Sequence, residues 1–378
     1  MSLFNVYPLY NVTPVKAKGL YVYDENNTEY LDLYGGHGVI SLGHTHPKYV
    51  DSITDQINKL GFYSNAIQNP LQKELADKLV TISCCKDYEL FLCNSGAEAN
   101  ENALKLASFK TGKKRVIAFK NGFHGRTSAA VAATDNKNII APINAQQEVT
   151  ILDLNDIESV KTELEKGDVC AVIVEFIQGV GGLDEATADF FEQVDKLCKA
   201  NNTCFIADEI QCGYGRSGKF FAFQNYNVIP DIISMAKGMG NGFPIGGILI
   251  HSNIEAKFGM LGTTFGGNHL ACAAGLSVLN VIEEEKLINN VNQVSTYFIK
   301  IAEKIPQIKK IKGRGLMLGL EFDFKVGDLR KELIYDYHIF TGGAMNKKLL
   351  RILPPLTVKK EHINQFFEAL VDILDKRK

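Results

Sequence analysis

The segment that decides the fold is residues 89–111, ELFLCNSGAEANENALKLASFKT. Its first five residues form a short, largely apolar run of the length typical of a buried strand. From residue 97 onward, small and apolar side chains recur at helical spacing and share one face, namely Ala99, Ala103, Leu106 and Ala107. The segment therefore predicts a strand that passes directly into a helix.

The same alternation continues through the middle of the chain. Further apolar runs predict strands at 115–119, 170–175, 204–208 and 231–236. A helical pattern at 187–200 lies between two of these runs. Strand–helix–strand alternation favours a mostly parallel sheet covered by helices on both faces. In such sheets, ligands bind beyond the carboxyl ends of the strands.

Beyond about residue 270 the pattern changes. Long helical patterns precede a short strand and a last helix, at 270–284, 288–305, 316–321 and 362–375. We therefore predict an α/β fold with a large three-layer α/β/α domain and a smaller α+β domain. The large domain would span 46–265, and both chain ends, 1–45 and 266–378, would form the small one.

The composition excludes several classes of protein. The chain has 378 residues, 46% of them hydrophobic, which is enough for a large core. Its 41 basic residues balance 43 acidic ones, so no basic excess indicates nucleic acid as a partner. No secretory signal or membrane-spanning run is evident, and the eight cysteines form no C-x-x-C pair. We expect a cytoplasmic protein with reduced thiols, no metal and no membrane partner.

The junction Asn94-Ser95-Gly96-Ala97-Glu98 has the features of an anion site. Ser95 and Glu98 are spaced as in a capping box, and Gly96 would let a ligand approach the backbone closely. The N-terminus of a helix attracts phosphate through its free N–H groups and its dipole. The alternative is an ordinary helix cap under a tight turn.

Two charged residues also follow predicted strands. Asp208 ends the run at 204–208, and Lys237 follows the run at 231–236 among glycines. A carboxylate there can pair with a protonated heteroaromatic nitrogen, and burial exposes the neutral, nucleophilic amine of a lysine. Singly, each residue could be structural, as a capping aspartate or a solvated turn lysine. Together with the helix N-terminus, they are the parts that pyridoxal phosphate requires.

Further motifs make the chain resemble a known family. They are LGHTHP (42–47), NSGAEANE (94–101), GFHGRT (122–127), IADEIQ (206–211), SMAKGMG (234–240), TTFGGN (263–268) and RILPPL (351–356). The chain resembles the class III aminotransferases of fold type I, which depend on pyridoxal phosphate. Within that family it is similar to the acetylornithine and succinylornithine aminotransferase branch. The resemblance covers nearly the whole chain.

The resemblance implies how the cofactor would be held. Lys237 would bond the aldehyde carbon of the cofactor and later carry the proton that moves between substrate and cofactor. Asp208 would keep the ring nitrogen protonated, Gln211 would contact the phenolic oxygen, and Phe123 would stack on the ring. The residues implied to bind the phosphate are Ser95, Gly96 and Ala97, with Thr264 of a neighbouring subunit. A homodimer with shared active sites follows from that last residue.

The resemblance also implies the substrates. Arg126 and Arg351 would be carboxylate clamps, since a guanidinium binds a carboxylate through two parallel hydrogen bonds. Arg126 would take the α-carboxylate of an acylated ornithine, and Arg351 that of glutamate. Thr263 and Glu175 would lie beside the substrate. The expected reaction moves the δ-amino group of N-acetyl- or N-succinylornithine to 2-oxoglutarate in arginine biosynthesis.

Two positions depart from the family pattern. The usual Q-G-E is Gln178-Gly179-Val180, so the glutamate that masks the arginine at position 351 in many relatives is missing. We hypothesise that Arg351 stays free of a carboxylate or that the donor supplies one, as a succinylated ornithine would. His269 stands where a proline usually follows Asn268. We see no chemical consequence of that change.

Other interpretations remain open at this stage. Gly213, Gly215 and Gly218 match the G-x-G-x-x-G of a nicotinamide-dependent dehydrogenase, although little room is left for the helix that should follow. His44 and His46 could bind a metal, but a turn before Pro47 fits them better. Ornithine or 4-aminobutyrate could be the amino donor. A pyridoxal-phosphate mutase, racemase or decarboxylase would share the lysine and the aspartate, and a non-catalytic binding protein would be expected to have lost them.

Overall fold

The structure is a computed structural model that describes residues 3–377. Its strands are β1 (Pro14–Lys18), β2 (Tyr21–Asp24), β3 (Glu29–Asp32), β4 (Tyr88–Cys93), β5 (Arg115–Phe119), β6 (Val149–Leu152), β7 (Val169–Val174), β8 (Cys204–Asp208), β9 (Ile232–Met235), β10 (Gly246–His251), β11 (Lys310–Arg314), β12 (Met317–Glu321), β13 (Ile339–Phe340), β14 (Gly342–Gly343) and β15 (Leu349–Ile352). Its helices are α1 (Gly35–Gly38), α2 (Pro47–Lys59), α3 (Pro70–Ser83), α4 (Gly96–Thr111), α5 (Ser128–Ala132), α6 (Ile157–Leu164), α7 (Ala188–Ala200), α8 (His269–Glu284), α9 (Leu287–Ala302), α10 (Gly327–Tyr335) and α11 (Lys360–Lys376).

The large sheet has seven strands in the order β4-β10-β9-β8-β7-β5-β6. Only β10 runs against its neighbours, β4 and β9, and every other neighbouring pair is parallel. Because β10 is antiparallel to both β4 and β9, those two strands run parallel to each other. The carboxyl ends of six strands therefore meet at one edge of the sheet, which confirms the predicted mostly parallel architecture.

The two faces of this sheet are covered by different helices. Cys204 and Ile206 of β8 share a core cluster with Ala103 of α4. The intervening residue Phe205 belongs to the second cluster, together with Val194 of α7. Successive side chains of a strand point to opposite faces, so this alternation shows three layers, with α4 on one side and α7 on the other.

Strand β10 was not predicted from the sequence, nor was the edge strand β6. β10 begins with two glycines, which are poor strand formers. A Cβ atom on Gly246 would lie 2.6 Å from the carbonyl oxygen of Ser95, so glycine is required by the close approach of the chain beyond β4. The need for glycine at this position arises from a tertiary contact, which explains why the local sequence pattern did not predict a strand.

Both chain ends contribute to the smaller sheets. One has the order β1-β2-β3-β13 and the other β11-β12-β15-β14. Strand β13 pairs in parallel with β3, with Ile339 opposite Leu31, so residues from the two ends of the chain share a sheet. The predicted strand at 316–321 and the predicted helices at 270–284, 288–305 and 362–375 correspond to β12, α8, α9 and α11. The domain boundaries themselves stay a prediction.

Three other features concern membrane spans, cysteines and metal ligands. Between residues 3 and 377, no helix combines the length and the apolar character needed to cross a membrane. All eight cysteines are free, and seven of them are buried. In the same residues, no group of three or more His, Cys, Asp or Glu side chains is arranged to hold a metal ion.

Candidate active site

Three residues singled out in the sequence lie at the same edge of the large sheet. Asp208 is the last residue of β8 and stands opposite Ser234 of the neighbouring strand β9. Lys237 follows two residues after β9, and Ser95 follows two residues after β4. Since β10 joins β4 to β9 with both strands pointing the same way, the three residues converge.

Asp208 is held in a buried hydrogen-bond network. Its Oδ2 accepts hydrogen bonds from His124 Nδ1 at 2.7 Å and from Asn100 Nδ2 at 2.8 Å, and its Oδ1 accepts from the Ile210 N–H at 3.1 Å. Burial lowers the pKa of His124, but the hydrogen bond and charge of Asp208 outweigh burial, and the net pKa shift is upward. The carboxylate is thus fixed in place by donors on both oxygens.

Lys237 has an unusual backbone and a free amine. Its φ of +48° lies in the left-handed region, which costs energy for a non-glycine residue and often marks functional sites. The side chain is half-buried, and it forms no hydrogen bond or ion pair with any residue from 3 to 377. Burial lowers its pKa, which favours the neutral, nucleophilic amine.

Helix α4 begins directly beside these groups. Ser95 Oγ accepts from the Glu98 N–H at 3.2 Å, but Glu98 Oε2 accepts from the Asn94 N–H rather than from that of Ser95, so the predicted capping box is only half formed. A Cβ atom on Gly96 would lie 2.8 Å from Ile210 Cγ2, so packing against Ile210 already requires this glycine. The N–H groups of Gly96 and Ala97 have no intrahelical acceptor and can bind an anion.

A buried carboxyl group lies beneath the adjacent loops. Glu175 Oε1 accepts from the Phe123 N–H at 2.9 Å, and Oε2 accepts from the Gly179 N–H at 2.8 Å. Burial, reinforced by Asp208, raises the pKa of Glu175 to about 7. Both carboxyl oxygens of Glu175 therefore accept hydrogen bonds from the backbone, and the one from Phe123 fixes the position of that half-buried residue. A contact between Glu175 and substrate stays a prediction.

Arg351 is 3% exposed and is bound only by neutral acceptors. Its Nε donates to the Gly343 carbonyl at 2.6 Å, and its Nη1 donates to the Gly179 carbonyl at 2.6 Å and to Gln211 Oε1 at 3.3 Å. Its Nη2 donates to the Tyr34 hydroxyl at 3.1 Å. Burial lowers the pKa of Arg351. Among residues 3–377, no carboxylate forms a salt bridge with it.

The other predicted substrate residues are more open. Arg126 is exposed and has no hydrogen bond or ion pair within the described chain. Thr263 Oγ1 accepts from the Gly266 N–H at 3.0 Å and from Asn94 Nδ2 at 3.4 Å, which places it beside the start of α4. Thr264 and Phe265 are exposed on the adjoining surface.

Four residues at the site were not identified from the sequence. Asn100 and His124 position Asp208, while Tyr34 contacts Arg351 and His37 contacts both Tyr34 and Gln211. His124 stands inside the GFHGRT motif, and Asn100 is a polar residue on the apolar face of α4. These two features of the sequence could have been used to assign His124 and Asn100 to the site. The glycines around His37 gave a weaker one.

The competing motifs have structural roles instead. The Gly213–Gly218 segment is followed only by a short 3₁₀ turn, Ala222–Asn225, rather than by the helix of a dinucleotide site. His44 Nε2 lies 2.9 Å from Asp32 Oδ2, and His46 Nε2 lies 3.0 Å from Glu285 Oε1. These pairs fix a turn and the start of α2.

The arrangement fits a phosphorylated pyridine aldehyde. Asp208 offers a fixed negative charge for a ring nitrogen, and Lys237 offers an amine without a partner in residues 3–377. The start of α4 offers N–H groups for the phosphate. A positive φ at Lys237 also re-aims its side chain at the end of β9.

Comparisons with known proteins give consistent results. The sequence profile of the family described as Aminotransferase class-III matches residues 5–374. An acetylornithine aminotransferase of Aquifex aeolicus is 41% identical over 389 residues, covering 98% of this chain and 99% of its own. One from Bacillus subtilis is 40% identical over 375 residues, covering 98% and 96%. An ornithine aminotransferase of Toxoplasma gondii superposes with a TM-score of 0.91 at 27% identity, covering 99% and 93%.

Proposed function

This chain belongs to the class III aminotransferase family, and from that premise we propose that it transfers the δ-amino group of an N-acylated ornithine to 2-oxoglutarate with the help of pyridoxal phosphate. The acyl group would be acetyl or succinyl, and the reaction would serve arginine biosynthesis. The observation that carries the proposal is the convergence of Asp208, Lys237 and the start of α4 at one sheet edge. Relatives about 40% identical over their whole length are acetylornithine aminotransferases, which supports the donor.

The residues that would hold the cofactor surround that edge. Asp208 would face the ring nitrogen, Gln211 the phenolic oxygen, and Phe123 the flat face of the ring. The phosphate would be bound by Ser95, Gly96 and Ala97, and by Thr264 of a second subunit. When bound, pyridoxal phosphate supplies a ring that stabilises negative charge on the carbon bearing the amino group.

The side chains of the protein would handle protons and orientation. His124 and Asn100 hold the Asp208 carboxylate in place, and its charge would favour a proton on the ring nitrogen. Lys237 would take the proton from the δ-carbon of the donor, because burial lowers its pKa and leaves it a better base near neutral pH. Glu175 would keep Phe123 in position through its backbone.

Two arginines would recognise the substrates. The exposed Arg126 would bind the α-carboxylate of the acylated ornithine and the side-chain carboxylate of glutamate. The buried Arg351 would bind the α-carboxylate of glutamate. Because no carboxylate of residues 3–377 pairs with Arg351, an acidic substrate would not have to displace one. Thr263 and Glu175 would lie beside the substrate.

Shared active sites would require a homodimer. Apolar side chains are exposed close to Thr264, with Phe265 at 59% and Phe62 at 42%. Their rings contact each other, with centroids 5.2 Å apart. An exposed aromatic pair next to a residue assigned to the neighbouring site supports a second subunit at this surface.

Ornithine itself is the second candidate donor, because the Toxoplasma gondii neighbour is an ornithine aminotransferase. A panel of donors with 2-oxoglutarate as acceptor separates the candidates by the glutamate formed. We expect kcat/KM for N-acetyl- or N-succinylornithine to exceed that for ornithine and 4-aminobutyrate by about 100-fold or more. A higher kcat/KM for free ornithine would refute the proposal. Far better turnover of the acetylated than of the succinylated donor would refute a donor carboxylate at Arg351.

A further inference from the structure

A large positively charged cavity lies beside Arg351. Its volume is about 1210 Å³, and its walls include the N-terminal segment around Tyr10, the segment from β3 to α1 and the chain from α10 to β15. The charged side chains that line it are Lys325, Arg330, Lys331, Lys347 and Arg351, with Asp32 as the single acidic one. Asp32 is already occupied, because its Oδ1 accepts from two backbone N–H groups and its Oδ2 pairs with His44. The cavity therefore favours an anionic ligand.

Arg330 is a half-buried cation in this cavity without a counterion among residues 3–377. It extends from α10, is half-buried, and its Nη2 donates to the Thr341 carbonyl at 3.0 Å. Its Nε is buried without a hydrogen-bond partner, and the guanidinium lies 5.7 Å from the ring centre of Tyr10. No carboxylate of residues 3–377 forms a salt bridge with it. A partly buried guanidinium without an anion is costly, so a ligand carboxylate would relieve that cost.

Arg330 and Arg351 both lie against Gly343. The Gly343 carbonyl accepts from Arg351 Nε, and a Cβ atom on Gly343 would lie 2.7 Å from Arg330 Nη1. A Cβ atom on Gly342 would lie 2.2 Å from Cε2 of Tyr34. The strand β14 is therefore free of side chains where the two guanidiniums and the tyrosine ring approach each other.

His37 presents a further donor to this cavity. Its φ of +68° is left-handed, within a turn whose other members are glycines at 35, 36 and 38. The Tyr34 hydroxyl accepts from Arg351 Nη2 and lies 2.5 Å from His37 Nδ1. When the hydroxyl donates to Nδ1, the neutral imidazole of His37 carries its own hydrogen on Nε2. In that tautomer, the Nε2–H of His37 is available to a ligand.

We propose that Arg330 and His37 form a second carboxylate subsite next to Arg351, which binds a carboxylate at the end of the donor's acyl group. The inference rests on the proposed function and narrows the donor to an ornithine acylated by a dicarboxylic acid, such as N-succinylornithine. The two carboxylates of glutamate and 2-oxoglutarate are accounted for by Arg126 and Arg351. A neutral acetyl group would leave Arg330 without a counterion.

The variant Arg330→Gln tests the subsite in the cofactor-loaded enzyme. Loss of a charge-assisted contact should raise KM for N-succinylornithine about 10- to 100-fold. The kcat with that donor, and the KM values for N-acetylornithine and 2-oxoglutarate, should stay unchanged. His37→Ala, which removes a neutral donor at an exposed position, should raise the same KM by a smaller factor of about 3 to 10.

Arg377→Gln is the matched control. Arg377 also lies in the C-terminal part of the chain and also stacks on an aromatic ring, Phe324, at 5.6 Å, but it does not line the cavity. It should leave all three KM values unchanged. Three results would overturn the subsite. The first is an equal rise in KM for both donors or for 2-oxoglutarate, and the second is no change with N-succinylornithine in either cavity variant. The third is use of N-acetylornithine alone by the parent enzyme. If neither acylated donor is used by the parent, the proposed function itself fails.

Discussion

Replacing Lys237 by alanine should reduce kcat by about 10⁴-fold or more, because the residue is assigned both as the nucleophile and as the base. The loss should be chemical rather than structural. The side chain of Lys237 forms no hydrogen bond or ion pair within residues 3–377, so alanine would remove none. We therefore expect the thermal unfolding midpoint of the cofactor-free protein to be unchanged. Steady-state kinetics and thermal denaturation on the same preparation measure the two quantities.

Lys219→Ala provides the control for this change. Lys219 follows the glycine-rich segment in the same part of the chain, is exposed, and forms no hydrogen bond or ion pair within the described residues. Its replacement should leave kcat unchanged. If Lys237→Ala kept more than about a hundredth of the parental kcat, well above what loss of a catalytic base and nucleophile allows, Lys237 would not have the assigned role.

The second large effect is expected at Asp208. The variant Asp208→Asn should lower kcat by about 10²- to 10³-fold, the range seen when one preorganised electrostatic contact is removed. An amide keeps an oxygen for His124 and Asn100, but it has no negative charge to hold a proton on the ring nitrogen. The fold should survive because the hydrogen bonds of His124 and Asn100 can be retained, but the amide cannot also accept from the Ile210 N–H, so stability should fall by about 1–3 kcal/mol. Measurement of kcat and of the unfolding midpoint tests both statements.

Glu209→Gln is the matched control for Asp208, since it changes the adjacent buried carboxyl group. The two oxygens of Glu209 accept separately from the N–H groups of Ala222 and Phe223, each at 2.8 Å. An amide can accept with only one oxygen, so stability should fall by about 1–3 kcal/mol while kcat of the folded enzyme is kept. The assignment of Asp208 is wrong if Asp208→Asn retains parental kcat, or if it loses only stability as Glu209→Gln does.

Much of the fold was predictable because the large sheet is built from local signals. The run at 204–208 and the helical pattern at 97–111 have the lengths and periods that strands and helices need, and both appear in the structure as β8 and α4. The charged residues at the carboxyl ends of β8 and β9 then had to lie at one edge, because the strands are parallel neighbours. The position of Asp208 and Lys237 thus followed from topology.

The rest of the site depends on contacts between distant parts of the chain. His124 and Asp208 are 84 positions apart, and Tyr34 and Arg351 are 317 apart, so no local pattern could pair them. Because Val180 stands where the family usually has a glutamate, the sequence predicted that no carboxylate would pair with Arg351. The sequence could not show that the Gly179 carbonyl, Gln211 and Tyr34 would bind it instead. These contacts depend on how the whole fold packs.

The most direct test of the central claim is to find which residue binds the cofactor. Borohydride fixes a carbon–nitrogen bond between a lysine amine and pyridoxal phosphate, and digestion followed by mass spectrometry locates the modified peptide. In the cofactor-saturated parent enzyme, we predict the modification on Lys237 and its absence from Lys237→Ala. Modification of a different lysine in the parent, or none at all, would contradict the account.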